Sequence, residues 1–178
     1  QLDNSQKMFL ENHHLFATLA LYYENLCSKQ NSDVWDFIQA GKYWRKAERP
    51  ERAIEITQEI SSSNSKETSA IHTNRGGAHR DLGMLPEALE SAKKAIEFSP
   101  ESFYAYNLLG AIYYQMGNPE EGDDSFKMAI ELGASPKEME DEIKRSVNSA
   151  GKEERRQAAR HLLNKDPKKY GWARYYLK

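Results

Sequence analysis

A chain of 178 residues, with 39% hydrophobic and 29% charged residues, is long enough for one packed domain and too apolar to stay disordered. Its net charge of -2 excludes a global pull toward nucleic acid or acidic membrane, and its single cysteine, Cys27, excludes an internal disulfide or a multi-thiolate zinc site. The longest apolar run, near residues 16–23, falls well short of the roughly 20 residues a membrane span needs, so no span is expected. One cysteine fits a reducing, cytoplasmic compartment. The absence of an initiator Met or leader before Gln1 gives the expectation of either a processed product or, in preference, a piece excised from a longer protein.

In chain order, Met8, Leu15, Phe16, Leu19, Tyr22, Tyr23 and Leu26 form an apolar stripe. It predicts one helix in a segment 1–33 that covers or completes the first repeated unit, with His13 and His14 on its surface. Further on, Leu85, Ala88, Leu89, Ala92, Ala95 and Ile96 keep helical spacing, and strand-like alternation is nowhere sustained. Pro50, Pro86, Pro100, Pro119, Pro136 and Pro167 fall between such stretches. Asn118-Pro119, Ser135-Pro136 and Asp166-Pro167 each combine a side-chain acceptor with a proline preset for a first turn, which predicts three helix starts.

Small residues recur at a fixed offset. Gly76 and Gly110 are 34 apart, as are Ala88 and Gly122, Ala95 and Ala129, and Gly83 and Gly117; Gly41 and Ala53 precede Gly76 and Ala88 by 35. The offset divides residues 34–136 into three units, 34–68, 69–102 and 103–136. Residues 137–178 read as a degenerate helix pair, with Met139, Ile143 and Val147 on one helix and Ala158, Ala159, Leu162 and Leu163 on the next, then a capping helix.

A 34-residue helix pair of this kind resembles the tetratricopeptide repeat. The third unit carries its pattern in Tyr106, Leu109-Gly110, Tyr113, Gly122, Phe126 and Ala129. The second keeps Gly76, Ala88, Ala95 and Pro100, with His72, Arg75 and His79 where aromatic, leucine and tyrosine are usual; the first keeps Phe37, Gly41, Trp44 and Ala53. The resemblance implies an all-α, right-handed superhelical stack of antiparallel helix pairs, three clear and one degenerate, forming one structural domain. It also implies that the first helix of each pair lines a concave groove that binds a peptide or a partner domain.

Positions at i, i+3, i+7 and i+10 on those helices give the binding candidates Lys42, Arg45, Arg80, Tyr104, Asn107 and Tyr114, with Asn74 bordering them. Cations at one end favour an acidic peptide, although an adjoining domain of the same protein would also fit. Some members of the family clamp a C-terminal carboxylate with two lysines, two asparagines and an arginine. Here only Asn74 matches, while Ile38, Gly77, Tyr104 and Leu108 stand at the other places, so that chaperone-tail mode is not expected.

Other chemistry finds little support. His72 and His79, seven apart, lie about 10 Å from each other along a helix and cannot share a metal; they read as packing residues. Gly76-Gly77 sits mid-helix, where its amides are already used and cannot cradle phosphate. No residue is nominated for catalysis, metal or cofactor binding, and an enzyme is not expected. The alternative to a protein-binding scaffold is a nucleic-acid contact through the tail. Residues 143–178 hold eleven Lys or Arg against three acids, interleaved with Tyr170, Trp172, Tyr175 and Tyr176. The acidic block 118–142, nine acids against two lysines, disfavours it.

Overall fold

The computed structural model describes residues 2–29 and 32–178; Gln1, Gln30 and Asn31, which fall in the expected segment 1–33, lie outside the described residues. Among the described residues the regular structure is entirely helical. The first six helices are α1 (Asn4–Asn12), α2 (Phe16–Cys27), α3 (Val34–Lys46), α4 (Pro50–Thr57), α5 (Ser65–Asp81) and α6 (Leu85–Phe98). Then come α7 (Phe103–Gln115), α8 (Pro119–Glu131), α9 (Pro136–Ser149), α10 (Lys152–Lys165) and a closing 3-10 helix (Gly171–Leu177). None of these helices is long and apolar enough to cross a membrane. They fall into two compact units, Gln1–Ser99 and Pro100–Lys178.

Local chemistry sets the helix ends. Proline occupies the first turn of α4, α6, α8 and α9, where its missing N–H has no intrahelical acceptor to lose. Asp33, Asn64 and Ser135 accept first-turn amides of α3, α5 and α9. Asn118 makes no such side-chain bond, and the helix start expected at Asp166 is instead a turn in which its carboxylate takes the amides of Lys168 and Lys169. Gly83 and Gly117 turn the chain after α5 and α7 with positive φ, and Glu48 holds the corresponding place after α3 at φ 58°.

The one helix expected from Met8 to Leu26 is two. His13 and His14 form the turn between α1 and α2, with His14 at φ 55° and the Leu15 amide donating to the Leu10 carbonyl at 2.9 Å. The apolar period runs through this break because Leu10 and Phe16 pack against the same cluster.

In the N-terminal unit that cluster comprises Leu19, Ala20, Tyr43, Trp44, Ala53 and Ala78. Glu24 of α2 joins three helices there, accepting from Trp44 Nε1 of α3 at 2.9 Å and from Arg52 of α4. In the C-terminal unit Tyr114, Phe126, Ala129, Met139, Ile143, Val147, Ala158, Leu162 and Tyr170 form the core, and Trp172 and Tyr176 of the 3-10 helix pack on it. Helices α7 and α8 touch backbone to backbone. A side chain on Gly110 would meet the Phe126 ring at 3.0 Å and the Gly122 carbonyl at 3.1 Å.

Two arginines close helix ends from a distance. Arg75 of α5 donates to the carbonyls of Thr57, Gln58 and Ile60 where α4 ends, and Arg155 of α10 donates to those of Val147, Asn148 and Ala150 where α9 ends. The Arg75→Met substitution keeps the apolar stem and strips these carbonyls of their donor. Urea unfolding followed by helical circular dichroism should register a loss of about 1–3 kcal/mol, partly restored by Arg75→Lys.

Candidate functional site

In the N-terminal unit α3 and α5 lie side by side, and four cations of interest gather on them. Asn74 Nδ2 of α5 donates to the Ile38 carbonyl of α3 at 2.7 Å, passing over Gly41, where a side chain would come within 2.8 Å of it. Asn74 is buried, so its amide fixes the spacing of the two helices instead of facing a partner, which corrects the expectation of a contact residue. The Arg45 guanidinium lies across Gly77, in space that any side chain there would fill, and its Nε donates to Asp81 Oδ2 at 2.7 Å. Arg80 Nε stands 4.0 Å from the other oxygen of Asp81.

Lys42 is exposed, with its ammonium 4.9 Å from the Tyr43 ring centroid. Surrounding protein desolvates it even so, and Lys46 repels it, so its ammonium is held below the ordinary lysine range. Lys46 in turn bonds Glu11 of α1 at 2.7 Å. A hydrogen bond from Lys46 lowers the Glu11 carboxyl below its usual value, and the charges of Lys46 and Lys42 add to that shift. Glu11 escaped sequence reasoning, because a contact across 35 residues leaves no local periodicity.

The remaining candidates belong to the C-terminal unit. Tyr104 is 63% exposed with its ring 4.0 Å from that of Phe103, and Asn107 is half-buried with its Oδ1 unpartnered. Tyr114 is fully buried, which corrects the expectation of a stacking surface. Its hydroxyl donates to Asp123 Oδ1 at 2.8 Å, while Asp123 Oδ2 faces His161 Nε2 at 2.7 Å and Lys165 Nζ at 2.6 Å. Burial opposes the Asp123 charge, but hydrogen bonds from Lys165, His161 and Tyr114 outweigh it and hold the carboxyl below its ordinary value. In the tail, Tyr170 is buried and Trp172 and Tyr176 are half-buried, leaving Tyr175 exposed.

Elsewhere, His72 stacks on Phe98 with centroids 5.8 Å apart, a packing role. Burial pushes the Cys27 thiol up to about 12, far from the thiolate a nucleophile needs. Among the described residues no three of His, Cys, Asp and Glu are grouped to hold a metal.

Two family models match this chain, one described as TPR repeat over residues 76–117 and one as Tetratricopeptide repeat over residues 103–133. Residues 76–133 of the chain thus match tetratricopeptide repeat models. Among similar curated proteins, Hsp70-Hsp90 organizing protein 2 of Arabidopsis thaliana is 27% identical over 135 residues, which cover 75% of this chain and 22% of that protein. Small glutamine-rich tetratricopeptide repeat-containing protein 2 of Saccharomyces cerevisiae is 33% identical over 86 residues, 48% of this chain and 24% of that protein. The chain thus spans about a quarter or less of the length of these relatives. Among solved structures, the crystal structure of MamA is similar with a TM-score of 0.59 at 18% identity, covering 98% of this chain and 96% of that one. That likeness is one of fold.

Two substitutions check this geometry. Gly77→Ala adds a methyl where the Arg45 guanidinium lies; because that group is the far end of a flexible side chain, it should swing away. Helix propensity offsets the lost ion pair, so stability should stay within about 1 kcal/mol while the Arg45 Nε–H resonance shifts. Asp123→Asn should cost on the order of 1–3 kcal/mol at pH 7. The Asp123 carboxyl titrates lower folded than unfolded, so its contribution is present above the unfolded value of about 3.9 and is lost as pH falls through the folded one. Urea midpoints of the two proteins should therefore converge in acid.

Proposed function

We propose that this chain is a protein-interaction module that seats an acidic peptide of a partner protein on the α3–α5 face. The observation that carries this reading is the gathering of Lys42, Arg45, Lys46 and Arg80 on two neighbouring helices, with Lys42 exposed and its charge disfavoured by its surroundings. A cation held in that condition gains when an anion arrives. The positions agree with the first-helix groove that the tetratricopeptide resemblance implies. Tyr104 and Asn107 offer a separate contact patch on the C-terminal unit.

The mechanism is display, with rigid helices presenting charge in a fixed pattern. No catalytic role is assigned, and the single Cys27 fits a reducing, cytoplasmic setting. The name of one curated relative, Hsp70-Hsp90 organizing protein 2, refers to organising Hsp70 and Hsp90, but the carboxylate-clamp set implied by the resemblance is matched here at Asn74 alone, and Asn74 is committed to Ile38. The partner is accordingly read as an internal acidic segment, in another protein or an adjoining domain.

A fluorescent hexaglutamate peptide tests the reading by anisotropy. Arg45→Glu with Arg80→Glu should weaken its binding at least tenfold in low salt, and added salt should weaken the unmodified protein in the same direction. Equal affinity in the two proteins would remove the α3–α5 face from consideration.

A further inference from the structure

The α1 helix is held in an unusual way. None of its nine residues is buried, and Met8 and Phe9 are 61% and 57% exposed. Among the described residues its attachment to the body includes Leu2 just before it and Leu10 within it, both half-buried against the core cluster, together with Lys7 near the Tyr22 and Tyr23 rings, the Glu11–Lys46 ion pair and a hydrogen bond between Glu11 and Tyr43. Both partners of that pair are 39% exposed. An ion pair of this kind shifts an equilibrium by no more than about fivefold.

What Glu11 touches is more telling than how tightly it is held. Its carboxylate sits on Lys46, one helical turn from Lys42 on the same face of α3, and close enough to both for their charges to lower its titration point. A partner's acid attracted to Lys42 and Lys46 would meet this carboxylate already in place. The link to α2 is a two-histidine turn, and a nine-residue helix has little stability of its own once it leaves the surface.

We propose that α1 is a displaceable strap whose Glu11 carboxylate stands in for the acid of the partner, so that α1 docking and partner binding compete for Lys42 and Lys46. This rests on the acidic-peptide reading of the α3–α5 face. The strap sets a threshold: a single acid exchanges for Glu11 with little gain, whereas a peptide with several acids engages Lys42, Lys46 and the arginines together and releases α1.

Glu11→Gln keeps the shape of the side chain and removes its charge. In the ligand-free variant the amides of residues 4–12 should exchange with solvent at least threefold faster than in the unmodified protein. Hexaglutamate should bind the variant about threefold to fivefold more tightly, and saturating peptide should speed exchange of the same amides in the unmodified protein. Unchanged α1 exchange in the ligand-free variant would overturn the strap, as would equal hexaglutamate affinity in the two proteins. Failure of the peptide to bind either protein would instead overturn the acidic-peptide reading, and α1 exchange in ligand-free Glu11→Gln would still decide whether the carboxylate holds the helix.

Discussion

The spacing of α3 and α5 is set where Asn74 reaches over Gly41 to the Ile38 carbonyl, and the placement of the cations depends on it. A buried amide N–H that finds a backbone acceptor avoids its own share of the cost of lost water, but only if the helices approach closely enough for a 2.7 Å bond. Gly41 allows that approach, and Gly77, one turn further along α5, leaves a trough into which Arg45 lies down toward Asp81. A larger residue at either glycine would separate the helices or lift the guanidinium. The charged face is therefore a consequence of close packing and would not survive its loss.

A second constraint explains why the middle repeat departs from the tetratricopeptide pattern. The α4 helix has eight residues, and its last carbonyls would face a half-buried space. Arg75, standing where leucine is usual, fills that space with its stem and satisfies the carbonyls with its head. His72 takes the aromatic place and keeps a flat ring to stack on Phe98. Both substitutions look like chemistry in a bare sequence, yet each answers a packing demand created by its neighbours.

The offset of 34 residues between small side chains made the helix pairs legible, because close approach needs small residues at the same point of every pair. Side-chain direction was less legible. Arg45, Arg80 and Tyr114 share one register position, and at the matching position of the following helix stand Ala53, Ala88 and Gly122. A side chain at 122 would overlap Tyr114, so Gly122 leaves room for that ring to turn inward, while Arg45 and Arg80 are half-buried and reach toward Asp81. The replacement of alanine by glycine at 122 was the available clue. Asn74 misled for a related reason, since a polar residue near the face can serve the partner helix as well as a ligand.

Nothing local announces Glu11, and nothing marks the break at His13-His14, where neither glycine nor proline interrupts the apolar period. Both features depend on tertiary pairing, and together they alter what the face can do. Arg45 and Arg80 already meet Asp81, and Lys46 already meets Glu11. An arriving carboxylate therefore replaces an internal acid in part, and its Coulomb gain is the difference between two pairings of similar strength. Asp81 sits on the same rigid helix as Arg80 and cannot withdraw, whereas Glu11 is carried on a helix with no buried residue. If the face discriminates among acidic partners, the discrimination resides at the lysines, where the internal acid can leave.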